Sequence, residues 1–155
     1  MTELDIAFMQ EALKEARKAY KEGEVPVGAV LVLNNKVIAR GHNQVELLKD
    51  ATAHAEMICI GSGAQALENW RLLDTTLYCT IEPCCMCAGA LFLARVKRLV
   101  WGAPDMRHGA NGSFCDLFAL KHPTHSIEIT SGVLTDVCGT LMQEFFRERR
   151  NQKLD

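Results

Sequence analysis

The sequence predicts an α/β fold in which a mixed five-stranded sheet carries helices on its faces. Two apolar, β-branched runs at 27–33 and 36–42 flank Asn34-Asn35, the pattern of an antiparallel hairpin. Two further apolar runs at 77–81 and 98–102 are separated by a helical segment, and a strand–helix–strand unit makes its strands parallel. Long helical patterns at the two ends of the chain supply more cover for the sheet.

Each element has its own local reason. Ile6, Met9, Leu13, Ala16 and Tyr20 recur at helical spacing between Glu and Lys, predicting a helix over 4–22 that Gly23 and Pro26 end. After the hairpin, a polar stretch at 43–50 leads into a helical run at 51–61, with Thr52 as a plausible N-cap. Pro83 opens a third helix reaching about residue 94. A Gly-containing loop spans 103–113, a short strand 127–129 closes the sheet, and a final helix covers 136–151. The 155 residues are read as one domain, 1–155, with no repeat, linker or low-complexity tract.

Composition narrows the function. With 48% hydrophobic and 23% charged residues, the chain falls in the globular range, outside disordered or collagen-like classes. Its longest apolar run is far below the roughly 20 residues a bilayer span needs, and Glu3 and Asp5 stand where a signal peptide carries basic residues. A cytoplasmic protein without membrane contact is expected. The net charge of −2 gives no general affinity for nucleic acid, so any such contact must come from a local patch. The densest basic run is Arg147, Arg149, Arg150 and Lys153 near the end of the last helix, which makes it the candidate phosphate contact.

Seven cysteines cannot all pair internally, and three of them crowd into Cys84, Cys85 and Cys87. Cys84 and Cys87 are three apart at a helix start, which puts both sulfurs on one face, where free N–H groups favour thiolates. A C-x-x-C pair alone equally marks redox motifs and structural zinc knuckles. His54 and Glu56 sharpen the reading: His-Ala-Glu, then a strand, then Pro-Cys-x-x-Cys is the signature of zinc deaminases, in which Glu moves protons and does not ligate. His54, Cys84 and Cys87 make three ligands and leave a tetrahedral zinc one position for water. Cys85 turns away from them, and Cys59, Cys79, Cys115 and Cys138 are expected to fill core positions.

From Glu24 to Ser113, and less densely to Arg150, the chain resembles the bacterial tRNA-specific adenosine deaminases. The resemblance lies in Glu24-Val25-Pro26-Val27-Gly28-Ala29-Val30, Asn43, Thr52-Ala53-His54-Ala55-Glu56, Glu82-Pro83-Cys84, Met86-Cys87-Ala88-Gly89-Ala90 and Phe145-Phe146-Arg147. It implies a cytidine deaminase-like three-layer α/β/α sandwich, one zinc per chain, a homodimer, and deamination of the wobble adenosine in the anticodon stem-loop of an arginine tRNA. It also implies that Asn43 hydrogen-bonds the flipped base and that Val27 and Ala55 line its pocket. On sequence alone Asn43 is a turn residue, and of Phe145 and Phe146 one packs inward while the other, taken as Phe146, can stack on a base beside Arg147. Cys85 departs from the family pattern, which has an aliphatic residue there, and so do Arg107 and His108, where Lys and Thr are typical.

Two other readings compete. One is a related deaminase of a free base or nucleoside, such as guanine or cytosine, which the basic helix opposes. The other is a noncatalytic zinc-stabilised RNA-binding module, which Glu56 opposes because a structural zinc site needs no unliganded carboxylate.

Overall fold

The computed structural model describes residues 1–154, Leu154 by its backbone only. The chain runs α1 (Glu3–Lys21), β1 (Gly28–Leu33), β2 (Lys36–His42), α2 (Val45–Leu48), α3 (Ala55–Leu67), β3 (Thr76–Ile81), α4 (Cys85–Leu93), β4 (Arg98–Ala103), β5 (Glu128–Ser131) and α5 (Thr135–Leu154), with a 3-10 turn at Leu117–Ala119. The five strands lie in the order β2-β1-β3-β4-β5. β1 pairs antiparallel with both β2 and β3, while β3–β4 and β4–β5 are parallel, so the sheet is mixed as the sequence predicts.

Alternation along the strands divides the core in two. Leu31, Leu77, Cys79, Leu99 and Trp101 face one side, where Ala55 and Cys59 of α3 and Leu91 of α4 pack on them. Val30, Val32, Tyr78 and Val100 face the other, against Met9, Ala12 and Leu13 of α1 and Cys138 of α5. Two helix layers thus sandwich the sheet. Asn34 and Asn35 both adopt positive φ, 51° and 58°, the geometry of a type I′ hairpin turn whose twist suits the flanking strands. At the far end of β2, a Cβ on Gly41 would lie 2.6 Å from the Ala55 carbonyl oxygen, so only glycine lets the first turn of α3 sit this close to the sheet.

Asp5 fastens α1 to this frame. Its buried carboxylate accepts two bonds of 2.8 Å from Arg98 on β4 and one of 2.8 Å from the Tyr78 hydroxyl on β3, and completes a capping box with Thr2. The Arg98 guanidinium, opposed by burial, holds the Asp5 carboxyl well below the usual carboxylate range.

Several expected boundaries move for local reasons. The second predicted helix begins at Ala55, not 51, because Asp50 captures both the backbone N–H and the hydroxyl of Thr52, at 2.8 and 2.7 Å, in a turn. His54 takes the N-cap position instead, and the helix continues to Leu67. The polar stretch at 43–50 contains the short α2, whose single turn is too brief to show periodicity. Cys59, Cys79 and Cys138 are buried as expected, whereas Cys115 is only half-buried in the loop after β4.

Candidate active site

Two helix N-termini meet beyond the C-terminal end of β3, the central strand of the sheet. His54 is the N-cap of α3 and Cys84 the N-cap of α4, both with extended backbone and neither using its side chain to cap the helix. Their side chains turn toward each other. His54 Nδ1 lies 3.6 Å from Cys84 Sγ and 3.6 Å from Cys87 Sγ. Among the described residues, these three form the one cluster of metal-ligating groups, all ligand atoms lying within 4.8 Å of one another. A tetrahedral zinc with bonds of roughly 2.3 Å to sulfur and 2.0–2.1 Å to nitrogen separates such a pair by about 3.6 Å, so the donor set fits the ion in chemistry and spacing. Cys85 is exposed and stands outside the cluster.

The electrostatics favour a cation here. The Cys84 thiol is drawn down to about 3 by the hydrogen bond from Cys87, helped by His54 and by the Cys87 backbone N–H at the start of α4. Cys87, which donates to Cys84, is pushed up by that bond and by burial. His54 is raised chiefly by its bond to Cys84. A bound cation would favour the thiolate form of both sulfurs. Glu56, in the first turn of α3, is only 4% exposed, and burial raises its carboxyl.

His54 and Cys84 of this cluster line a cleft of about 1040 Å³, together with Val27, Asn43, Ala55, Glu56, Arg107, His108 and the end of α5, while Cys87 is fully buried. Val27, Asn43, Ala55 and Phe146, the residues the resemblance assigns to the base, all line this cleft. Asn43 is nonetheless occupied: its amide donates to the Val25 carbonyl at 3.1 Å and its oxygen accepts from Val45 N–H at 3.2 Å, fixing the rim and leaving one N–H free. Arg147 does not line the cleft. Phe146, Arg149, Arg150 and Lys153 do, at the i, i+3, i+4, i+7 spacing of one helix face, and Arg147 is out of that phase. Phe145 is buried with its ring 5.7 Å from Tyr20, while Phe146 is 42% exposed.

Two buried carboxylates that the sequence reading passed over hold the rim. Glu24 accepts from the Glu46 and Leu47 backbone N–H groups, at 2.9 and 2.8 Å, and so anchors α2. Glu82, immediately before Pro83, accepts from the backbone of Asp105, Asn111 and Ser113, at 3.2, 2.8 and 3.3 Å, and from the Ser113 hydroxyl. A Cβ on Gly109 would fall 2.2 Å from the Glu82 carboxyl carbon, so the loop after β4 wraps this carboxylate closely. An acidic residue at the inner end of an apolar strand, with a Gly-rich loop following the next strand, is the sequence signal for this arrangement.

A His-Cys-Cys cluster at two helix N-termini, with a buried Glu two residues after the His, defines a zinc-dependent deaminase. Residues 2–103 match the cytidine and deoxycytidylate deaminase zinc-binding region, and the chain belongs to that family. Within it, the chain is 48% identical over 149 residues to the tRNA-specific adenosine deaminase of Bacillus subtilis, covering 96% of this chain and 92% of that protein. It is 53% identical over 162 residues to the chloroplastic tRNA(adenine(34)) deaminase of Arabidopsis thaliana, covering 94% of this chain but only 12% of that much longer protein. A solved structure from studies of A-to-I editing by tRNA:A34 deaminases at the wobble position of transfer RNA superposes with a TM-score of 0.84. That protein is 43% identical, and the match covers 87% of this chain and 98% of that one. Among the described residues, no helix is long and apolar enough to cross a membrane.

Proposed function

We propose that this protein hydrolyses the amino group of the wobble adenosine in a tRNA anticodon loop, that of an arginine tRNA, to give inosine and ammonia. The observation that carries the reading is a single cleft lined by His54 and Cys84 of the three-residue metal cluster, by the buried carboxylate Glu56 and by a row of basic side chains from α5. Identities of 48% and 53% to tRNA adenosine deaminases support RNA as the substrate over a free base.

His54, Cys84 and Cys87 would hold one zinc ion per chain, which would supply Lewis acidity to activate the attacking water. Glu56 is the proton carrier. Its carboxylate removes a proton from the attacking water as oxygen bonds to C6 of the base, and returns it to the adjacent ring nitrogen. A second proton passes through the same carboxyl to the departing amine, so ammonia leaves and the carbonyl of inosine remains. Burial raises Glu56 toward holding the proton between these transfers. Val27 and Ala55 flank the base, the free N–H of Asn43 is available to it, and Phe146 offers a stacking face.

Arg149, Arg150 and Lys153 provide local positive charge along the approach to the site. Exposed Leu93, Phe114 and Leu120, each 65–66% accessible on α4 and the segment beside it, support a homodimer in which a second copy covers them. A cytoplasmic location suits a tRNA substrate. The test is to present the zinc-loaded protein with an arginine anticodon stem-loop, a stem-loop bearing another anticodon with adenosine at the same place, and free adenosine, guanine and cytosine. Inosine in the arginine stem-loop, with little turnover of the free compounds, is expected; turnover of a free base with an untouched RNA would replace the reading with that of a small-molecule deaminase.

A further inference from the structure

Of the five cysteines outside the metal cluster, Cys59, Cys79 and Cys138 are buried in the core. Cys115 is different. Its Sγ lies 3.3 Å from Sγ of Cys85, which is the first residue of α4 and exposed to solvent. The two are 30 residues apart in sequence. Their meeting is built by the backbone: Cys84 bridges to Gly109 in antiparallel fashion, Ala110 N–H donates to the Pro83 carbonyl at 2.8 Å, and Glu82 grips the loop from beneath. Neither sulfur belongs to the His54, Cys84 and Cys87 cluster. A disulfide bond of roughly 2.05 Å requires the sulfurs to close by only about 1.2 Å.

We infer that Cys85 and Cys115 form an oxidation site, a dithiol whose reactant is a hydroperoxide and whose product is a disulfide pinning the 109–116 loop to the start of α4. One sulfur attacks the peroxide, breaking the O–O bond and releasing water from hydrogen peroxide, to give a sulfenic acid. The second sulfur then attacks the first, the S–O bond breaks, and a second water leaves. Two thiols lose two electrons and two protons, and the peroxide accepts them. A small dithiol reverses the change by thiol–disulfide exchange. The bond would tie the segment following Arg107 and His108, two residues of the cleft wall, to the helix that begins next to Cys84. It would therefore fix the rim without using a metal ligand.

The experiment treats the zinc-loaded protein with hydrogen peroxide, blocks remaining thiols with an alkylating agent, and maps linkages by mass spectrometry, with zinc content and non-reducing electrophoresis measured on the same samples. The expected result is a single intramolecular Cys85–Cys115 link, unchanged zinc, slower amide exchange across 109–116 and a melting midpoint raised by several degrees, all reversed by dithiothreitol. Cys115→Ser should abolish the link and the shift in melting. Linkage of Cys85 to Cys84 or Cys87 with loss of zinc would overturn the inference. So would covalent dimers, or oxidation of Cys85 and Cys115 without a bond between them.

Discussion

Replacing Glu82 by Gln should loosen the loop that walls one side of the cleft, and the structure sets the size of the effect. The four groups that meet this carboxylate are all donors, with Asp105 N–H and the Ser113 hydroxyl on one oxygen and Asn111 and Ser113 N–H on the other. A glutamine amide must turn its NH2 toward one pair. Facing the first pair costs least, because the Ser113 hydroxyl can rotate and accept, leaving only the Asp105 N–H without a partner. That orphaned donor costs about 1–3 kcal/mol, and the surviving bonds lose their charge assistance, about 1 kcal/mol each. Because the donors are only partly buried and water can reach some of them, the sum should fall at roughly 2–3 kcal/mol. Urea unfolding of zinc-loaded wild-type and variant proteins reads it directly as a shift in midpoint at constant slope. A loss under about 0.5 kcal/mol would refute the claim that this carboxylate organises the rim. A second variant sharpens the test. Gly109→Ala places a methyl group against the Glu82 carboxyl, so it should destabilise the wild type and cost distinctly less once Glu82 is Ala.

Two further outcomes follow from the same contacts. Asp5→Asn should destabilise the protein by roughly 2–3 kcal/mol at neutral pH, since it breaks a mostly buried, two-pronged pair with Arg98. Because folding depresses the Asp5 pKa, its stabilisation is present above the ordinary value of 3.8 and is lost as pH falls below it. The gap between wild type and variant in unfolding experiments should therefore close under acid conditions, and a gap that persists would remove the charge from the explanation. Joint replacement of Arg149, Arg150 and Lys153 by Ala should weaken RNA binding and reduce the slope of log K against log salt by about 2, whereas Arg147→Ala should leave the slope unchanged. Titrations at several salt concentrations separate the two, and equal effects would mean that α5 does not present one face to the RNA.

Much of this architecture is legible in the chain because it rests on short-range periodicity. The apolar runs at 27–33 and 77–81 mark their strands, and Asn34-Asn35 marks the turn of the hairpin. The ligand set is legible for a related reason: His54 and Cys84 each precede a helix, and the C-x-x-C spacing puts Cys87 one turn on. What the sequence conceals depends on competition between partners, some of them near in the chain and some distant. Thr52 is an equally good N-cap on paper, and only the competing Asp50 and the pull of the two cysteines on His54 move the cap. Cys115 reads as a core residue until Glu82 is seen to hold its loop at the surface. Arg147 reads as part of a basic cluster because composition ignores phase, although counting i, i+3, i+4, i+7 from Phe146 would have excluded it.

The proposed chemistry depends on Glu56 moving protons beside a metal held by three other side chains. The most direct measurement compares wild type with Glu56→Gln for zinc content and for inosine formed at the wobble position of an anticodon stem-loop. One zinc per chain in both proteins, with inosine formation reduced by about two to four orders of magnitude in the variant, is the predicted result. Near-normal inosine formation by Glu56→Gln, or loss of its zinc, would contradict the assignment of this carboxylate as a proton carrier that does not ligate.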